Sequence, residues 1–390
     1  MIEFNPIGLQ AQAATSPDSA RAADTPSASG DIVITCYENE VPAFAGAEID
    51  RLYGHLLCSL SNFRVAKDIN EASTYVVRQN GAAITVFLFR REGKEVKVIS
   101  EFIQLDQATM LLFVDFIFAR YPSVKLVSFN KIQAEPSRFS YPCQHVNCTE
   151  DIIVALPATV EEYQARLGKN MRRNIKRYHS ALQTDFPSYR YRVYVMEEIS
   201  EQHLRDIIQL NRTRMAGKNI VSRIDEEETQ WIVQLAKRCG IVGVATVDGK
   251  VCGGAIGFRI GVNYFMHVIA HDPAYNDYSL GILCYYFTIC EGIVRGGKHF
   301  HLLLGRYEYK YRLLGVTQEI AHVDIYRNRT YWLLYCGRVM KTAVDATLLR
   351  VKRWLLEAER RDDAAARLAT RMVNVLRAVK RFNAGRLARK

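Results

Sequence analysis

Between His301 and Arg312 the chain gathers His301, Glu308, Tyr309 and Lys310. Histidine and glutamate accept protons, a phenol can return one to a strong base, and an ammonium pairs with anions. Upstream, Asn276-Asp277-Tyr278-Ser279-Leu280-Gly281-Ile282 ends a loop and opens an apolar helix. The first turn of a helix presents unpaired N–H donors and the positive end of its dipole, which suits an anion. Gly281 would let that anion press on the backbone. Farther back, Leu167, Met171, Ile175, Tyr178 and Leu182 form one helical stripe. Lys169, Arg172, Arg173, Lys176 and Arg177 cover the other faces without an acid among them, a pattern suited to capturing phosphate. Each feature also has a plainer structural reading: a serine-capped helix, packed tyrosines, a solvated basic face.

Other chemistries find little support. The nine cysteines include no Cys-x-x-Cys pair, and Cys143 and Cys148 flank His145 without further closely spaced ligands, so no metal is expected. The thiols suit a reduced intracellular protein. His267 and His271, the latter next to Asp272, read as packed or hydrogen-bonded histidines, because no Gly-x-Ser-x-Gly elbow accompanies them.

The elements that must hold these residues alternate in type. Residues 1–30, rich in Ala, Ser, Asp and Pro, read as a disordered leader. Ile32–Tyr37 reads as a strand and Ala47–Leu60 as a helix. Thr74–Arg78, Ala82–Arg90 and Glu95–Phe102 follow as strands, the first two joined by Asn80-Gly81. A helix capped by Asp106 leads to a strand over Val124–Asn130. Thr149–Arg177 reads as a link. A second series starts with the strand Arg190–Met196 and the helices Ser200–Met215 and Asp225–Cys239. Strands over Ile241–Val247, Val251–Ile260 and Tyr264–Ala270 precede the helix Gly281–Arg295 and a buried strand marked by Phe300, Leu302 and Leu304.

The order β-α-α-β-β-β-α-β-α-β over residues 190–327 resembles the GNAT acyltransferase fold. Doubled, with a weak first copy, it resembles the FemAB/CelD-like acetyltransferase group. Gly305, Tyr309 and Lys310 match that group's Gly-x-x-x-Tyr-Lys, and His301 stands where the group often has an acid. The GNAT donor motif Gln/Arg-x-x-Gly-x-Gly/Ala reads here as Asn276-x-x-Ser279-x-Gly281. The implied fold is mixed α/β: tandem GNAT-like domains, the first degenerate, with a basic helical tail. The implied divisions are a leader (1–30), a degenerate domain (31–150), a catalytic domain (151–335) and the tail (336–390). The first copy has Phe102-Ile103-Gln104-Leu105-Asp106 at the donor junction, with an acid where an anion would sit.

The resemblance implies an N-acyltransferase, with acetyl-CoA or another acyl-CoA as donor and an amine as acceptor. Asn276, Tyr278, Ser279, Gly281, Ile282, Arg172 and Arg173 would bind the donor. Glu308 or His301 would serve as base, Tyr309 would protonate the leaving thiolate, and Lys310 would pair with phosphate or an acidic acceptor. The alternatives are an aminoacyl-tRNA-dependent FemAB-type peptidyltransferase, disfavoured by the lack of a paired-helix arm between Arg177 and Phe300, and a non-catalytic GNAT-like module acting through its tail.

The 390 residues are 49% hydrophobic and 24% charged, which excludes a largely disordered or fibrous chain. No apolar run is long enough to span a membrane. Residues 336–390 carry 15 Lys+Arg against 5 Asp+Glu, a net +10 of the chain's +11. Val344, Leu348, Val351 and Leu355 form one apolar stripe there, and Leu368, Met372, Val375, Leu376 and Val379 a second. The tail therefore suits an anionic membrane surface, an acidic carrier protein or the protein's own body, and the near-neutral remainder gives no reason to expect specific nucleic-acid binding. The expected location is the cytoplasm, with the inner membrane face as a site of peripheral attachment.

Overall fold

The computed structural model describes residues 32–66, 69–136, 138–218 and 220–358; the proposed leader and the second tail stripe lie outside them. The first half runs β1 (Ile32–Tyr37), α1 (Ala45–Leu52), α2 (Leu60–Val65), β2 (Ser73–Gln79), β3 (Ala82–Glu92), β4 (Glu95–Val98), α3 (Gln107–Arg120), β5 (Leu126–Ile132) and β6 (Cys143–Ala155). After α4 (Val160–Arg166) and α5 (Lys169–Asp185), the second half runs β7 (Arg190–Val195), α6 (Glu201–Ala216), α7 (Glu226–Cys239), β8 (Gly240–Val247), β9 (Lys250–Ile260) and β10 (Asn263–His271). It continues through α8 (Leu280–Val294), β11 (His299–His301), α9 (Glu308–Arg312) and β12 (Val316–Tyr326). Helices α10 (Arg329–Leu334) and α11 (Cys336–Ala358) close the described chain.

Local chemistry explains much of this. Asn80 and Gly81 both take positive φ at the β2–β3 turn, as do Asp248 and Gly249 between β8 and β9. Asp106 accepts the Thr109 amide at 2.8 Å and starts α3. Asp225 does the same for α7 through Glu228.

The single helix expected over Ala47–Leu60 is in fact two. Gly54 breaks it at φ +52, where its carbonyl accepts the Asn263 side chain at 2.9 Å. This β-α-α opening completes the match between the halves.

All twelve described strands form one sheet in the order β1-β2-β3-β4-β5-β12-β6-β11-β10-β9-β8-β7. Read inward from either edge, the pairing is the same: three antiparallel pairs, one parallel pair, one antiparallel pair. The halves meet by exchange, because each donates its last strand to the other. β6 pairs with β11, and Ile152 and Val154 enter the core beneath α8. β12 pairs with β5, and Ala321, Val323 and Ile325 complete the first half's core around α3. β6, whose second part falls in the link expected over Thr149–Arg177, is thus central to the sheet.

The tail's described part docks on the body. Arg338 donates to Asp324 and Glu95, each at 2.8 Å, and Arg353 lies 3.2 Å from Glu150. No described helix is long and apolar enough to cross a membrane.

Candidate active site

β10 and β11 pair only from Asn263↔His299 to Phe265↔His301. Beyond Phe265, β10 runs on to His271 with no described strand on that side, so a slot opens between the strands. The chain leaving β11 bends away through Leu303 (φ +56) and Gly305 (φ +95), which ends the strand earlier than Leu302 and Leu304 suggested. Lys310 holds the bend: its Nζ donates to the carbonyls of Leu302, Leu303 and Leu304 at 2.6, 3.0 and 2.5 Å. Burial pushes its pKa down to about 8, against the pull of Asp151 and Glu150. Three carbonyls use the ammonium's three protons, so Lys310 supports the slot instead of reaching toward a ligand.

The first half lacks this opening. After β4, Phe102 N bonds Lys131 O, Gln133 N bonds Ile103 O, and Leu105 N bonds Gln133 O, which stitches the segment back along β5.

One end of the slot is the start of α8. Ser279 lies in the left-handed region at φ +46 and does not cap the helix with its side chain, unlike the ordinary serine cap considered from the sequence. Its hydroxyl instead meets Tyr178, whose pKa falls through that bond and the neighbouring Arg177. Arg177 stacks on the Tyr178 ring at 4.8 Å. Ile282 and Leu283 bond the Ser279 carbonyl, leaving Leu280 and Gly281 as the leading amides. A Cβ on Gly281 would stand 3.0 Å from His271 Nδ1, so the glycine admits that ring. His271 Nε2 lies 3.0 Å from Asn276 Oδ1, and its Nδ1 is buried without a hydrogen-bond partner among the described residues. Burial lowers the His271 pKa, with help from Arg214 and Lys218.

At the apex, His301 Nδ1 is 2.6 Å from Asp151 Oδ2, and His55 Nε2 is 3.7 Å from the same oxygen. All three side chains are buried. Burial would raise the Asp151 carboxyl, but the His301 hydrogen bond and the His55 ring outweigh it and hold it below the usual carboxylate range. Burial pushes His55 down to about 4. His55 Nδ1 accepts the Leu57 amide at 3.2 Å, so its proton resides on Nε2, facing Asp151. His301 Nε2 has no hydrogen-bond partner among the described residues.

This trio has the ligand types a metal takes. Two tetrahedral zinc ligands, however, stand about 3.4 Å apart, whereas 2.6 Å is a hydrogen bond.

The other expected residues divide. Tyr309 Oη lies 3.3 Å from Tyr285 Oη, and burial keeps its phenol protonated. Glu308 is exposed and pairs with Arg312 at 2.5 Å. Tyr278 donates to Asp185 at 2.7 Å. Arg172 and Arg173 are exposed on α5, with Arg172 reaching the Ala165 carbonyl at 3.4 Å. His267 bonds Glu228 at 2.9 Å, as a packed strand histidine should. The sequence reading missed His55 and Asp151; the only signal was an acidic pair, Glu150-Asp151, heading the apolar run Ile152-Ile153-Val154.

This architecture is a doubled GNAT fold. Residues 169–311 match the family model described as an acetyltransferase (GNAT) domain. The crystal structure of FemX superposes with a TM-score of 0.56 at 9% identity, covering 74% of this chain and 97% of that one. A conserved protein of unknown function from Bacteroides thetaiotaomicron VPI-5482 gives 0.49 at 13% identity over 75% and 99%. L-PGS from Bacillus licheniformis gives 0.47 at 12% over 78% and 98%. No curated protein matches the sequence. The chain thus resembles the FemAB-like group in fold.

Proposed function

We propose that the protein is an N-acyltransferase that moves an acyl group, in the first instance acetyl, from coenzyme A to an amine. The observation that carries this is the slot between β10 and β11, open in the second half and stitched shut in the first. The unpaired edge of β10 beyond Phe265 offers backbone groups to an extended pantetheine arm. The donor's pyrophosphate would meet the amides of Leu280 and Gly281, with Arg177, Arg214 and Lys218 supplying positive charge. In this reading residues 151–335 are the catalytic domain and residues 31–150 the degenerate one.

His301 is the better of the two candidate bases. Asp151 orients its ring by holding Nδ1–H, which leaves Nε2 to take a proton from the acceptor's ammonium and so free the amine lone pair. The amine then forms its bond to the thioester carbon, the C–S bond breaks, and Tyr309 returns a proton to the thiolate. Glu308, paired at the surface with Arg312, is less suited.

The acceptor would approach from the first half, through a cavity of about 620 Å³ whose lining includes Leu57, Arg90, Glu92, Glu101, His322 and Arg338. It borders the apex through Leu57 and through Glu101, whose neighbour Phe102 stacks on His55 at 4.5 Å. The mixed charge suits a polar acceptor bearing both an amine and an anionic group. A cytoplasmic setting, where acyl-CoA is found, fits this chemistry.

An aminoacyl-tRNA donor is less favoured, because α6, α7 and α8 all pack on the sheet and no described helix pair projects as an arm. Calorimetry with acetyl-CoA, followed by thiol release on addition of an amine panel, tests the reading. Absence of donor binding would leave a non-catalytic module.

A further inference from the structure

Helix α11 has two opposed faces. One is docked: Ala346 is buried, Arg338 and Arg353 pair with acids of the sheet, and Gln144 donates to the Val339 carbonyl at 2.8 Å. The other carries Met340, Val344, Leu348, Val351 and Trp354 within an arc of about 120°. All five are exposed, Met340 at 66% and Leu348 at 61%. Exposed Lys341 and Arg350 flank the stripe, one on each side. Just ahead, α10 exposes Trp332, Leu333 and Leu334. Over residues 336–354 the only acid is Asp345.

Large apolar side chains held outward along a helix need a cover. Charge decides which cover fits. Residues 361–390 of this chain hold 9 Lys+Arg and 2 Asp. Folding them over the stripe, or seating a second copy on it, would bring cations against Lys341 and Arg350 at the rims. A surface with anionic heads above an apolar interior matches both the rims and the stripe.

We propose that the outer face of α11 is an in-plane membrane-binding helix that seats the enzyme on an anionic bilayer, with Met340, Val344, Leu348, Val351 and Trp354 entering below the headgroups. The docked face would stay on the sheet, so the body would be held at the surface with its ion pairs intact. The proposal is independent of the donor and of catalysis.

Flotation of the full-length protein with phosphatidylcholine vesicles containing roughly one-third phosphatidylglycerol tests it. The wild type is expected to float with these vesicles, at least about tenfold less with pure phosphatidylcholine, and to be released as salt rises from about 0.1 to 0.5 M. The exposed double variant Val344→Glu/Val351→Glu should keep the wild-type melting curve and lose about tenfold or more of the bound fraction. Trp emission should shift to the blue with vesicles in the wild type and not in the variant. No flotation of the wild type would overturn the proposal. So would equal flotation of the variant, which would leave binding to the charge of residues 359–390. A wild-type dimer by light scattering that the variant dissociates, without flotation of either, would assign the face to a second copy and also overturn it.

Discussion

His301 and Asp151 lie 150 residues apart and share a 2.6 Å hydrogen bond at the closed end of the β10–β11 slot. Asp151 comes from β6, which follows the first half's strands in sequence but pairs with β11 of the second. The oriented histidine therefore exists only because the halves exchange strands.

Replacing Asp151 with Asn would remove the carboxylate that holds His301 Nδ1 and so loosen the orientation of the ring. Turnover should fall by about 10² or more, with donor affinity unchanged. Unchanged turnover in Asp151→Asn would count against His301 as base. Equal loss of donor binding would instead mark a structural role.

His55 gives a stability signature. Its folded pKa of about 4 lies below the ordinary 6.5. As pH falls from 6.5 toward 4, the unfolded chain takes up a proton that the folded ring refuses. Stability is thus fully present above 6.5 and declines through this window, by up to about 3 kcal/mol. Urea unfolding at pH 7 and pH 4.5 should show the decline, and His55→Phe should flatten it.

Gly281→Val would push a side chain against His271 Nδ1 at the head of α8. The donor Kd, read by calorimetry, should rise about tenfold or more, with Gly281→Ala in between. An unchanged Kd in the valine variant would place the donor's pyrophosphate elsewhere.

Lys310→Met would leave the carbonyls of Leu302, Leu303 and Leu304 without their donor. A loss of about 3 kcal/mol in unfolding free energy is expected. In the wild type, the Lys310 ammonium should titrate near pH 8 by NMR of labelled lysine, against the ordinary 10.5. A midpoint above 10 would mean that the site is wetter than its burial indicates.

Deleting residues 361–390 removes a net +7 yet spares Arg338 and Arg353, so the shortened protein should fold and bind donor as before. Ending the chain at residue 335 instead strips Arg338 from the fully buried Asp324. That should cost about 3 kcal/mol or more, visible as a lowered melting temperature.

The sequence by itself determined what depends on neighbours along the chain. Asn80-Gly81 and Asp248-Gly249 fixed two hairpins because only such pairs accept two successive positive φ values. Asp106 and Asp225 started helices because their carboxylates reach amides three residues on. The alternation of strands and helices, with Gly305, Tyr309 and Lys310, pointed to a doubled GNAT fold, and the loop at Ser279-Leu280-Gly281 to a helix start. The tertiary structure alone decided what depends on distant partners. It split the helix expected over Ala47–Leu60, because Asn263 holds the Gly54 carbonyl. It made β6 a central strand, because burial between β11 and β12 gives pairing to residues whose pattern lacks alternation. It turned Lys310 from a candidate ligand group into the clasp of the slot, and it joined His55, Asp151 and His301, which no local spacing connects. Hydrogen bonds to backbone near in sequence leave a signature in residue order; contacts made by strand exchange between two halves leave none.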